Sequence, residues 1–117
     1  MIFPKSIALA VVFLPCIAFK PLHHGWANYD PEKVLDYTGI IQESVYENPH
    51  VVATVKQNDK TWTVVLAPVS RMNARGVTAA MLKKGTTLKV VGYPHKAVRD
   101  EMRAERIFIE GKKYELR

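Results

Sequence analysis

Val51-Val52-Ala53-Thr54-Val55-Lys56-Gln57-Asn58-Asp59-Lys60-Thr61-Trp62-Thr63-Val64-Val65-Leu66 reads as two β-strands about a tight turn. Side chains in a strand alternate between its two faces. Val51, Ala53 and Val55 therefore share one face, and Trp62, Val64 and Leu66 share one on the return. Asn58-Asp59 supplies the turn, because short polar side chains tolerate the left-handed backbone that two-residue loops need. A hairpin with one apolar face must be covered, and the flanking segments say by what.

Upstream, Val34 to Tyr46 is β-rich and broken only by Gly39, which predicts a bulge or sharp bend that lets one strand serve both halves of a closed barrel. Tyr46-Glu47-Asn48-Pro49-His50 then makes a polar turn, since Pro49 cannot donate to a ladder and pushes Asn48 to extended geometry. Downstream, Ala67-Pro68-Val69 leaves the sheet. Ser70 can cap a short helix that stops at Gly76, and Thr78 can cap a second turn through Leu82 that ends at Gly85. Thr86 to Val91 is a strand ended by Gly92-Tyr93-Pro94-His95, and Lys96 to Glu101 is a charged loop. Met102 to Ile109 alternates with Ala104, Arg106 and Phe108 on one face, and Glu110-Gly111 turns it into Lys112 to Leu116. Three strands, a helical connection and two or three more strands make an all-β fold: a small OB-like β-barrel of five to six strands with one short helical connection.

That domain is assigned to residues 34–117. Ahead of it, Lys5 and the uncharged run Ser6 to Phe19 have the layout of a signal peptide, assigned to residues 1–18 with cleavage after Ala18. The run is shorter than the ~20 residues that span a bilayer, and Pro15 interrupts it, so no stable membrane anchor is expected after cleavage. A lipoprotein cut before Cys16 and an uncleaved N-terminal helix are the alternatives. Residues 19–33, with two prolines and no periodicity, form an extended arm.

The chain carries a net charge of +6, and cleavage removes one of its positive charges with Lys5. An exported chain rarely meets nucleic acid, so this balance points to solubility, or to anionic envelope surfaces and acidic partners. Cys16 is the one cysteine, and the mature chain has neither disulfide nor thiolate ligand.

All four histidines lie outside strand interiors. His50 and His95 fall in the two loops that flank the binding face of an OB-type barrel. His23 and His24 sit on the arm, which at about 3.3 Å per residue has the length to reach the same rim. Imidazoles are common ligands of zinc and copper, and Glu47 could orient one of them or serve as a fourth ligand. Arg71, Arg75, Lys83, Lys84, Arg103 and Arg106 could form an anion-attracting patch or a solvated basic surface. Ser44 and Ser70 have no partner histidine at a motif spacing and no phosphate loop occurs, so no enzymatic activity is expected.

The combination His23-His24-Gly25-Trp26, Glu47-Asn48-Pro49-His50, Trp62, Gly76, Leu82-Lys83-Lys84-Gly85, Val91-Gly92-Tyr93-Pro94 and Gly111 resembles a group of small exported bacterial proteins classed as a domain of unknown function. The resemblance covers nearly all of the mature chain and implies export and a small β-barrel. The first expectation is a periplasmic or secreted binding module that holds copper or zinc through His23, His24, His50 and His95 with Glu47. The second is a metal-free module that docks another envelope protein through its rim loops and the basic strand bearing Arg103 and Arg106.

Overall fold

The computed structural model describes residues 25–117. The expected signal peptide, the first part of the arm and both His23 and His24 lie outside the described residues. The elements are β1 (Leu35–Val45), β2 (Val52–Gln57), β3 (Lys60–Val65), α1 (Val69–Ala74), a 3-10 turn (Ala80–Leu82), β4 (Thr87–Pro94), β5 (Glu101–Ile109) and β6 (Lys112–Glu115). The strands hydrogen-bond in the order β3-β2-β1-β4-β5-β6. The first residues of β5 also run parallel to the end of β3, pairing Thr63 with Glu101 and Val65 with Arg103. That pairing closes five strands into the expected OB-type barrel and leaves β6 as an addition on the outer half of β5.

β1 serves both halves, as its length suggests. Leu35 to Ile40 pair with β4, and Ile40 to Val45 pair with β2. Gly39 stands at the hand-over because of close approach: a Cβ there would lie 2.6 Å from the Lys56 carbonyl oxygen and from Val55 Cγ1. The bulge itself comes later, at Gln42, which the pairing skips between Ile41 and Glu43. Its extra residue keeps Ile41 in the core while turning the second half of the strand.

A second bulge corrects the reading of β5. The pairing of Val91 with Arg106 and of Gly92 with Ala104 leaves Glu105 over. Met102, Ala104, Ile107 and Ile109 are consequently all buried, and a single alternation through the strand does not hold. β4 also continues through Gly92-Tyr93-Pro94 instead of ending there. Gly92 permits this, because a Cβ at that position would run into the Arg103 carbonyl oxygen.

The core is aliphatic, with Ile41, Val55, Val64, Leu66, Leu88, Val90 and Ile107 excluded from solvent or nearly so. Each such side chain stabilises the fold by about 1.5–3 kcal/mol relative to exposure. Met72, Val77 and Leu82 of the helical connection belong to the same core. Thr78 caps its second turn as expected, accepting from the Met81 amide at 3.3 Å, while α1 starts at Val69, with Pro68 rather than Ser70 at its cap position. Trp62 stacks on Tyr37 with ring centroids 5.7 Å apart.

The described part of the arm is not simply extended. Gly25–Asn28 forms a 3-10 turn, and Tyr29 makes a β-bridge to His95. The Asp30 amide donates to the Pro94 carbonyl at 2.9 Å, and the Lys96 amide donates to that of Asn28 at 2.8 Å. The arm is thereby laced to the end of β4 and the loop that follows. No helix among the described residues is long and apolar enough to cross a membrane.

Candidate functional site

The Tyr46–His50 turn is mostly a joint between the barrel and its helical connection. The Tyr46 hydroxyl donates to the Val77 carbonyl at 2.5 Å, and the Val69 amide donates to Asn48 Oδ1 at 3.1 Å, which satisfies one of the free amides at the start of α1. Glu47 and Pro49 are exposed, and the Asn48–Pro49 peptide is cis. Tyr46 and His50 are the half-buried residues of the turn. Burial, and then the positive charge of Arg103, hold the His50 imidazole below the ordinary histidine range.

His95 is engaged differently. Its Nδ1 accepts the amides of Ala97 and Val98, each at 3.0 Å, and its ring meets Tyr29 edge-on with centroids 5.0 Å apart. A neutral imidazole that accepts at Nδ1 carries its proton on Nε2, so His95 presents a donor to its surroundings. Among the described residues, no three His, Cys, Asp or Glu side chains gather as a metal ion requires. Of the expected ligands, His50 lies near Arg103, His95 is tied to its own loop and to Tyr29, and Glu47 is on the surface.

What converges instead is positive charge. Arg103 points out of the barrel between the inward Met102 and Ala104, yet it is only 6% exposed, because the arm lies over it. Gly25 fits directly against its guanidinium, at a spot where a Cβ would strike Nη1. The Trp26 ring stacks over it, with the guanidinium carbon 4.4 Å from the ring centroid. Arg117 lies the same 4.4 Å from that ring, and Trp26 also meets Tyr93 edge-on at 6.2 Å. Arg71, from α1, donates to the Leu116 carbonyl at 3.3 Å, which sets it beside Arg117. Burial depresses the Arg103 pKa; the neighbouring Tyr29 hydroxyl acts against this, and the charges of Arg71 and Arg117 add to it.

None of the nearby carboxylates reaches Arg103, although one of them, Glu105, lies 4.0 Å from the Arg117 guanidinium. Glu101 accepts from the Tyr29 hydroxyl at 2.5 Å, and Glu105 accepts from Tyr93 at 2.7 Å and pairs with Arg106 at 3.2 Å. Glu115 takes the Arg106 Nε on both oxygens, at 3.1 and 3.2 Å. The two arginines that the sequence offers alike are therefore unlike: Arg106 is neutralised on the open side of the sheet. Arg103 has no carboxylate within 4.0 Å among the described residues, and its Nε is buried without a hydrogen bond.

The family of unknown function DUF6152 matches residues 10–103. The chain belongs to this family. The matched span of DUF6152 holds Trp26, His50 and Arg71 and ends at Arg103, while Arg117 and β6 lie beyond it. No curated protein matches the chain. Sequence reading offered Trp26 as a cover for the rim but missed the parts of Tyr29 and Arg117 in this cluster. An arginine between Met102 and Ala104 signals only an outward position, and what covers it comes from more than seventy residues earlier in the chain.

Proposed function

We propose that the protein is an exported, non-catalytic binding module of the bacterial envelope, and that it docks an acidic partner protein at the cationic face around Arg103. The observation that carries this reading is a guanidinium almost entirely removed from water with no carboxylate beside it among the described residues, next to two further arginines and a half-buried histidine. A buried charge without a counter-ion costs several kcal/mol in ordinary cores. Retaining one on a face already rich in positive charge suits a protein whose counter-ion arrives with its partner.

The test is affinity capture from the envelope fraction of the native cell. An acidic protein is captured by the wild-type chain and lost with the exposed pair Arg71→Glu and Arg117→Glu, while Lys83→Glu and Lys84→Glu leave capture unchanged. Capture that is insensitive to Arg71 and Arg117 overturns the reading.

Copper or zinc capture is the second reading. It is favoured by one observation: Gly25, the residue that follows the His23-His24 pair, sits against the same Arg103 whose charge reaches His50. Its readout is a titration of the mature chain with Cu(II) or Zn(II). Binding tighter than about 10 μM, near −7 kcal/mol, that is lost in His50→Ala supports it, and weaker or unchanged binding removes it.

A further inference from the structure

We propose that the group received at this face is a carboxylate, borne by an acidic segment of the partner, and that the Gly25–Trp26 turn is a strap that must lift to admit it. The inference rests on the docking reading above and names the chemistry of that site.

The shape of the free edge of Arg103 selects the ligand. Gly25 is packed against Nη1, so the arm already covers that corner of the fork. Trp26 covers a face of the guanidinium plane. The Nε side is the one left without an acceptor. The Nε–Nη2 edge of a guanidinium presents two parallel N–H groups in one plane, a spacing that matches the two oxygens of a carboxylate. A tetrahedral phosphate can use the same edge, but it brings a second negative charge and oxygens out of the plane, where Trp26 offers only an aromatic face.

Burial then requires movement. The Nε atom is out of contact with solvent while Gly25 and Trp26 pack on the guanidinium, so a carboxylate can reach it only after a displacement, and the arm is the part of that packing held from outside the barrel. Arg117 has Glu105 at 4.0 Å, whereas Arg103 has no carboxylate within that distance among the described residues; Trp26 holds both guanidinium groups at 4.4 Å. Such contacts are worth about 0.5–2 kcal/mol each, less than a bidentate carboxylate in the same surroundings. Exchange of the one for the other is therefore downhill once the strap opens. Arg117 and Arg71 stand at the edge of the opening, where they would draw the acid in, and the depressed His50 would regain its proton beside a new negative charge.

The experiment titrates the full mature chain with an N-acetylated, C-amidated tri-aspartate peptide, with sodium succinate and with sodium phosphate at one ionic strength. It follows the His50 imidazole by NMR and the indole of Trp26 by fluorescence in a Trp62→Phe background. The peptide is expected to raise the His50 pKa and to change the Trp26 signal. Arg103→Lys keeps the charge and loses the fork, and is expected to weaken binding about tenfold. Trp26→Ala removes the strap and is expected to tighten binding. If Arg103→Lys does not fold, the surface pair Arg71→Gln and Arg117→Gln serves in its place, with a loss expected there too. Phosphate binding as tight as the peptide overturns the choice of carboxylate and leaves docking at the face standing. Succinate binding as tight as the peptide upholds the carboxylate site and overturns the protein partner as its source. Weaker binding in Trp26→Ala overturns the strap. Absence of any response to the peptide, with capture still dependent on Arg71 and Arg117, overturns the inference alone.

Discussion

His50 gives the single-residue scale its clearest consequence. Its folded-state pKa lies below the ordinary value of 6.5, so the unfolded chain binds more protons than the folded one as pH falls through that range. The contribution of this site to stability is complete above about pH 6.5 and is lost as pH drops below it toward the folded-state value. Melting temperatures measured from pH 7.5 to 5 should fall more for the wild-type chain than for His50→Gln, which has no proton to gain. An equal decline in both would mean that burial and Arg103 do not act on His50 as described. His50 was legible as a rim residue, because it follows a proline turn and precedes an alternating strand. Its closeness to Arg103 was not, since an approach between residues fifty-three positions apart in the chain leaves no local mark.

At the scale of elements, the hairpin of β2 and β3 could be read directly, because period-two alternation on both sides of Asn58-Asp59 admits one register. The bulges at Gln42 and Glu105 could not. Each is one extra residue in a strand, set by how the partner strand crosses, and ordinary side chains occupy both positions. Gly92 is the visible trace of the second bulge, although sequence reading took it for a strand end. Gly92→Ala should destabilise the protein by about 1–3 kcal/mol, the usual cost of overpacking, and denaturant unfolding measures it. The added methyl would meet backbone, which has no rotamer to give way. Leu82→Ala tests the helical connection in the same assay. Leu82 is fully buried in the barrel core, and its truncation should cost about 2–5 kcal/mol.

For the whole molecule, the charge is unevenly compensated. Lys60 with Asp100, Lys89 with Asp36 and Arg106 with Glu115 form pairs along the barrel wall, whereas the face under the arm gathers Arg71, Arg103 and Arg117 with a single carboxylate, Glu105, 4.0 Å from Arg117. Repulsion confined to one region is screened by salt, whose Debye length at 0.15 M is about 8 Å. Raising sodium chloride from 20 to roughly 300 mM should therefore raise the melting temperature, and Arg71→Gln with Arg117→Gln should remove most of the gain. A melting temperature that falls with salt would show that attractive pairs dominate. Composition announced the net charge, but not its concentration under the arm, which depends on α1, β5, the segment after β6 and the arm meeting at one place.

The short parallel pairing of Thr63–Val65 with Glu101–Arg103 links this face to the history of the chain. Those three residues of β5 are the seam of the barrel, and the last of them is the guanidinium under Trp26. Until the seam forms, β3 has an open edge and Arg103 has no pocket to sit in. Closing the barrel and forming the proposed docking face are thus one event, and a half-folded chain lacks that face. By the same coupling, the proposed partner, once bound at Arg103, would hold the seam shut, and its occupancy should be read as resistance to unfolding of the barrel as a whole.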